Sequence, residues 1–430
     1  MRTQPTSPIA LRNDRRNAPL DGLRGLAILL VVLIHSYQFT GFGSVSSPDW
    51  WEKLVVAISI TFQGVPLFFV LSGFLITSIL LRLKVTHADA RSFFCVFVVR
   101  RALRIIPIYY LFIIGVYFVM PLLRRHLGLH FVSSDEIDWS AALGLALFLT
   151  NLPPFHNQGI FIMAWSVCVE MQFYIVWGIL VYMLQARMLK GICVCCIVFT
   201  FLARISLASL GMTDWNMWHS TPMQLDGLAA GSLIALSGRE VINRVVATGW
   251  PLIICAGGAI PLLAYVMSRL FATDSSKLLL VGDEHLLKGV TLTLNTVVYS
   301  CLLLLVLYTG DHPLGWQARP RWAVLSMFST QLFAVFGRYS YFVYLFNLYP
   351  LYKISHAKLH FSAIPHESLR SLTVFLIVAG LSLILGKVSW TIFEGPIENL
   401  KDRLAPRETA LRHKYPPQMI PVVAAKKIVP

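Results

Sequence analysis

Several polar side chains in this chain sit inside long apolar runs, where lipid makes an idle polar group expensive. His35 closes the apolar run 26–34 and stands eleven residues beyond Arg24. At 1.5 Å per residue that is about 16 Å, roughly half the thickness of a bilayer's hydrocarbon core. A neutral imidazole at this depth can take a proton from a hydroxyl if a neighbour orients it. The same residue could instead hold two helices together through a hydrogen bond. Glu170 and Gln172 lie in the run 164–174, and a buried carboxylate there must be paired, protonated or in a wet cavity. Arg204, at similar depth in the next apolar run, is a candidate ion-pair partner for Glu170. Asp226 raises the same question in Gln224-Leu225-Asp226-Gly227.

Other residues point to binding rather than proton transfer. Arg101 and Arg104 are three apart at the start of an apolar run, so they share one helical face. Guanidinium groups beside a helix N-terminus suit phosphates, although clustered arginines also mark a cytoplasmic loop. Ser72, in Leu71-Ser72-Gly73, has neither a Gly-x-Ser-x-Gly elbow nor a base adjacent in sequence. Small residues there serve close helix packing before they serve nucleophilic attack. Tyr341 and Tyr344 share a face, and Asn347 lies on that face two turns beyond Ser340. Interfacial anchoring and interhelical hydrogen bonding are the ordinary uses of such residues. The seven cysteines show no paired spacing of a zinc or redox site, and no metal is expected.

The elements that must position these residues are membrane helices. Of 430 residues, 56% are hydrophobic and only 13% charged, against roughly 25% charged in soluble domains. The mean hydropathy is +0.67. The net charge of +15 resides mostly in loops beside apolar runs, the topology signal of cytoplasmic loops, and nucleic-acid binding is excluded. Spans are predicted near 22–41, 60–81, 105–123, 162–185, 190–210, 222–238, 250–271, 289–309, 328–352 and 371–393. The stretch 139–150 is too short to cross and reads as an interfacial or re-entrant piece. Leaving it out keeps the basic loops on one side, apart from Arg124, Arg125, Lys277, Lys288, Lys353 and Lys358. The expected architecture is therefore an all-α, polytopic transmembrane bundle of about ten spans with both termini cytoplasmic. It divides into an N-terminal segment 1–19, a membrane domain 20–394 and a basic, Pro-containing tail 395–430. No removable signal peptide is expected at the Arg-rich N-terminus.

Taken in order, these motifs resemble the acyltransferase-3 family of membrane O-acyltransferases. The resemblance runs through Leu20-Asp21-Gly22-Leu23-Arg24-Gly25 with His35, then Phe68–Phe74, then Arg101-x-x-Arg104 with Ile106-Pro107. It continues through Trp165-Ser166, Glu170 and Gln172-Phe173-Tyr174, then Asp226-Gly227-Leu228, then Ser340-Tyr341 with Tyr344-Leu345. Each motif is weak alone, and six in register are specific.

The resemblance implies acyl-CoA, commonly acetyl-CoA, as a donor substrate rather than a resident cofactor. It implies an envelope glycan or glycolipid hydroxyl as acceptor and the bacterial inner membrane as location. The site residues it suggests are His35 as general base and Glu170 as the residue orienting the acceptor or imidazole. Arg24, Arg101 and Arg104 would hold the CoA phosphates, and Ser72, Asp226, Tyr341 and Asn347 would contact substrate. A covalent acyl-histidine intermediate is equally compatible. Many family members carry histidine where this chain has Asn347, which removes proton transfer there but keeps a hydrogen bond. The esterase-like domain of some members is not in this sequence, so direct donor-to-acceptor transfer is the simpler expectation. The alternative class is a transporter using His35, Glu170 and Asp226 as a relay. A non-catalytic scaffold would leave most buried polar residues unexplained.

Overall fold

The computed structural model describes residues 18–40, 50–87, 89–119, 122, 139–152, 155, 163–210, 218–258, 284–308, 318–348 and 367–405. Most of the predicted segment 1–19, the tail beyond 405, and Arg124, Arg125, Lys277, Lys353 and Lys358 lie outside the described residues.

All regular structure among the described residues is helical. In chain order the helices are α1 (Ala18–Thr40), α2 (Trp50–Thr61), α3 (Gly64–Thr86), α4 (Ala90–Ile114) and α5 (Trp139–Ala146). There follow α6 (Ala164–Met183), α7 (Ala186–Ser209), α8 (Leu225–Ser237) and α9 (Arg239–Ala247). The chain continues with α10 (Trp250–Gly258), α11 (Glu284–Leu307), α12 (Ala318–Phe328), α13 (Gln331–Phe346), α14 (Glu367–Ser389) and α15 (Gly395–Leu404). A π turn, Gly115–Val119, extends α4, and another, Trp390–Glu394, joins α14 to α15.

Seven of these helices are long and apolar enough to cross a membrane, or eight if the bent pair α9–α10 is one span. The apolar side chains that face outward support this reading. Ile175, Val176 and Ile179 on α6, Val194, Val198 and Phe199 on α7, and Leu376, Ile384 and Val388 on α14 are all exposed. Side chains apolar all round a helix fit lipid rather than water. The protein is therefore a multi-pass membrane protein. The ten predicted segments all map to helices, but three are shorter than a full span as described. The segment 222–238 becomes the 13-residue α8 after a 3₁₀ turn. The segment 328–352 becomes the 16-residue α13. The segment 250–271 is described only to Gly258. The stretch at 139–150 forms an eight-residue helix, too short to cross. It is held against α4 by the Tyr109 and Tyr110 hydroxyls, which donate to the carbonyls of Leu145 and Ala146.

Two helices far apart in sequence form the largest helix–helix contact, α1 against α13. Their closest approach uses glycine on both sides. A Cβ on Gly25 would collide with the Phe333 carbonyl oxygen, and one on Gly337 with the Asp21 carbonyl oxygen. Without Cβ atoms the backbones pack directly, as small-residue membrane interfaces do. The helices run parallel, since His35 meets Asn347 further along. Helix α3 inserts beside α1 and α8, and α6 packs against α3. At the start of α4, the Asp89 carboxylate accepts from the Ser92 amide at 2.7 Å, an ordinary N-cap. That cap fixes where the helix bearing Arg101 and Arg104 begins.

Candidate active site

Helices α1, α3, α4, α6 and α13 line a chamber of about 110 Å³. Arg24, Arg101 and Arg104 line it together with Ser72, Glu170, Tyr174, Ser166, Tyr341 and Tyr344. Five of the residues singled out in the sequence as acting on a donor or acceptor (Arg24, Ser72, Arg101, Arg104 and Tyr341) thus face the same space as Glu170. They come from helices separated by up to about 300 residues of chain, which only the bundle brings together.

The carboxylate of Glu170 is held from two sides. Ser72 Oγ donates to Oε1 at 2.5 Å, and Tyr174 Oη donates to Oε2 at 2.8 Å. The Tyr174 bond spans one turn of α6, while the Ser72 bond crosses from α3. Ser72 therefore serves here as a donor to a carboxylate, which agrees with the absence of an elbow around it. Two further hydroxyls of α13 anchor the chamber wall: Tyr341 donates to the Ile105 carbonyl at 3.2 Å and Tyr344 to the Met163 carbonyl at 3.1 Å. Tyr344 Oη also lies 2.6 Å from Ser166 Oγ. Arg24 makes an ion pair with Asp21 at 3.1 Å, one turn earlier on α1. Among the described residues, Arg101 and Arg104 make no side-chain hydrogen bond or ion pair, so their donors face the chamber uncommitted.

His35 lies outside the lining of this chamber, past its Tyr344 end. Its Nδ1 is 2.7 Å from Asn347 Oδ1. Asn347 is three residues beyond Tyr344, and its amide nitrogen donates to the carbonyls of Val343 at 3.0 Å and Tyr344 at 2.7 Å. Those two acceptors fix which end of the amide is nitrogen. The oxygen must then face the imidazole, so Nδ1 carries the proton and Nε2 the lone pair. A carboxamide thus performs the orienting role that the sequence assigned to Glu170 as one of its two options. Glu170 is instead held by Ser72 and Tyr174.

Asp226 is elsewhere. Its carboxylate, expected among the substrate-contacting residues, is held by protein side chains and lines neither this chamber nor the one that adjoins it. Arg204 donates to both of its oxygens at 2.8 Å, and Thr296 Oγ1 donates to Oδ2 at 2.9 Å. Arg204, 1% exposed, also bonds Thr293 and the Met223 carbonyl. The candidate partner for Glu170 is therefore the partner of Asp226 instead. Depth in the bilayer was matched, but the helix faces were not, and α8 packs against α7. A His35–Glu170–Asp226 relay is not assembled by these contacts. Gln172 likewise turns to structure, bonding Asn151, Thr221 and the Phe148 carbonyl.

A second chamber of about 200 Å³ adjoins the first. Arg24, Arg104, Ser340 and Tyr341 line both and so lie between them. Its remaining walls include Asp21, Arg338, Trp390, Glu394, Glu398 and Lys401. None of the last five was singled out from the sequence as a site residue. Their signal there is only a basic residue at a helix face and an ordinary amphipathic C-terminal helix. No group of three or more metal-ligating side chains occurs among the described residues.

Comparison with known proteins follows the same residues. The family described as an acyltransferase domain, acyltransferase-3, matches residues 17–388. A Listeria monocytogenes protein named as a peptidoglycan O-acetyltransferase is 24% identical over 364 residues, 79% of this chain and 50% of that protein. A Bacillus subtilis protein provisionally named as a peptidoglycan O-acetyltransferase is 34% identical over 169 residues, 37% of this chain and 22% of that protein. The chain thus spans half or less of the length of these curated relatives. No solved structure gives a significant match. The chain belongs to the acyltransferase-3 family.

Proposed function

We propose that this acyltransferase-3 protein moves an acyl group, acetyl in the first instance, from acyl-CoA to a hydroxyl of an envelope glycan. Peptidoglycan is the acceptor that the names of its relatives favour. The protein would work in the bacterial cytoplasmic membrane, with its basic loops inside and the donor entering from the Arg24 end.

The observation that carries this reading is the pairing of a cation-lined chamber with a tautomer-fixed histidine beyond its far end. Arg24, Arg101 and Arg104 supply charge for the donor's phosphates, through charge-assisted hydrogen bonds. The thioester end would run through the chamber toward His35, a rise of about 16 Å along α1 from Arg24. The acceptor hydroxyl gives its proton to His35 Nε2 as its oxygen attacks the thioester carbonyl. The tetrahedral intermediate then expels the CoA thiolate, which recovers the proton from the imidazolium. Atoms and charge balance without a metal or a redox partner. Glu170, held by Ser72 and Tyr174, offsets the charge of the nearby arginines.

Washed membranes containing the full chain, given radiolabelled acetyl-CoA, test the reaction. Label entering peptidoglycan with the wild type and lost with His35→Ala is expected. His35→Ala that still transfers label at the wild-type rate would overturn the assignment. Mass spectrometry of the glycan with and without the protein names the group and the position.

A further inference from the structure

The second chamber is unexplained by the reaction as written, which uses only the first chamber and its arginines. Its composition is unusual for a membrane protein's interior. Four cationic side chains, Arg24, Arg104, Arg338 and Lys401, face one space with three carboxylates, Asp21, Glu394 and Glu398, and the Trp390 ring. Arg24 is paired with Asp21 and Lys401 with Glu398, which leaves Arg104 and Arg338 unpaired among the described residues. Lys401 is only 6% exposed although charged, and its Nζ meets Glu398 Oε1 at 2.9 Å. Arg338, like Arg104, has no side-chain hydrogen bond or ion pair among the described residues. A wall of this kind retains unspent donors for an anionic guest.

The wall is also deliberately built. The π turn Trp390–Glu394 carries both Trp390 and Glu394 at the chamber, and π turns often occur at functional sites. Pro396 starts α15 in its first turn. The far end of α15 is tied down by Arg100, whose Nη1 donates to the Ala405 carbonyl at 2.5 Å. Trp390, Glu394, Glu398 and Lys401 all fall after residue 388, where the family match ends.

The order of the chambers matches the order of groups in coenzyme A. The molecule runs from a 3′-phosphorylated adenosine, through a pyrophosphate, to a pantetheine arm ending in sulfur. The protein places the second chamber, then the shared residues Arg24 and Arg104, then the first chamber, with His35 beyond it. We propose that the second chamber is the nucleotide site of the donor, with Arg338 and Lys401 taking the 3′-phosphate and Trp390 stacking on the adenine. Arg24 and Arg104 hold the pyrophosphate between the two chambers. Glu394 faces the same space as an acceptor for the adenine amino group. This rests on the acyl-CoA donor proposed above, and it adds residues outside the matched family region.

The full chain in phosphatidylcholine nanodiscs, free of anionic lipid, is titrated with CoA, 3′-dephospho-CoA and pantetheine. Wild type should bind CoA about tenfold or more tightly than dephospho-CoA, as expected for a phosphate held by two cations. Arg338→Gln and Lys401→Gln should each bring that ratio toward one while changing dephospho-CoA affinity less than about threefold. Trp390→Ala should weaken CoA and dephospho-CoA alike by roughly fivefold or more and leave pantetheine unchanged. Arg338 is exposed, so its variant remains informative if loss of Lys401 impairs folding. Wild type that binds CoA and dephospho-CoA equally overturns the nucleotide site alone. A ratio unchanged in Arg338→Gln also overturns it, and would make these cations a lipid-phosphate site. Wild type that binds none of the three probes overturns the acyl-CoA donor itself.

Discussion

Replacing Asn347 by leucine isolates the orientation of the His35 imidazole from everything else in the site. The two side chains are nearly the same shape, so the change removes polarity with little change in volume. In the native protein Asn347 Oδ1 accepts from His35 Nδ1 at 2.7 Å, with both residues buried. Leucine leaves that N–H without its acceptor, at a cost of about 1–3 kcal/mol for a buried donor. The ring can escape by turning or by moving its proton to Nε2, and either move removes the lone pair that serves as base. Turnover should therefore fall roughly 5- to 150-fold, from the same 1–3 kcal/mol at 25 °C. The KM for acetyl-CoA should stay within about twofold, because Arg24 lies about 16 Å away along α1 and Arg101 and Arg104 line the chamber that His35 does not. The measurement is initial-rate acetyl transfer by the purified full chain in nanodiscs. Asn347→His, which can again accept from Nδ1–H, should recover much of the loss. Adding Asn347→Leu to His35→Ala should cost nothing more, the mark of two residues acting as one unit. Wild-type turnover in a folded Asn347→Leu protein would refute the reasoning.

Three further outcomes follow from the same contacts. Ser72→Ala should reduce turnover by only about 2- to 10-fold, the worth of one hydrogen bond to Glu170, and a loss as deep as His35→Ala would point to Ser72 as a nucleophile after all. Glu170→Gln should raise the KM for acetyl-CoA or lower turnover by more than Ser72→Ala does, since it removes the charge as well as one of the two acceptor oxygens; equal effects in paired kinetic assays would reject a charge role. Asp226→Ala strands the buried Arg204 guanidinium and should destabilise the protein by about 3–5 kcal/mol, read as a drop in melting temperature. The specific activity of its folded fraction should be unchanged, and a selective loss of activity would return Asp226 to the substrate site.

Much of this protein was legible in its sequence because lipid imposes a one-dimensional rule. Apolar runs near Gly64–Thr86 and Ala186–Ser209 announce spans by composition alone. The short stretch at Trp139 was equally legible, since an eight-residue helix cannot cross. Polar residues inside such runs stand out, and Arg24, Ser72, Arg101, Arg104, Glu170 and Tyr341 all face one chamber. What the sequence could not carry is the angle of each residue about its helix axis relative to distant neighbours. Arg204 and Glu170 match in depth, yet Arg204 faces α8 and meets Asp226. Asn347 reads as a departure from the family pattern, and only its bonds to Val343 and Tyr344 reveal which atom faces His35. Lys401 looks like an ordinary base on a polar helix until the π turn before it swings that helix over a chamber.

The glycine contact between α1 and α13 has a consequence for how the chain can change over time. His35 lies ten residues beyond Gly25, and Asn347 ten residues beyond Gly337. The two helices run parallel from that contact, so arms of equal length bring donor and acceptor to one height, about 15 Å from the pivot. A single inserted or deleted residue on one arm would shift its tip by about 1.5 Å and rotate it by about 100°. The hydrogen bond would be lost, although every side chain stayed the same. Equal insertions on both arms would keep the heights matched but turn both tips away from the chamber. The spacing between each glycine and its polar partner is thus inherited as a fixed length, while the loops between helices remain free to lengthen.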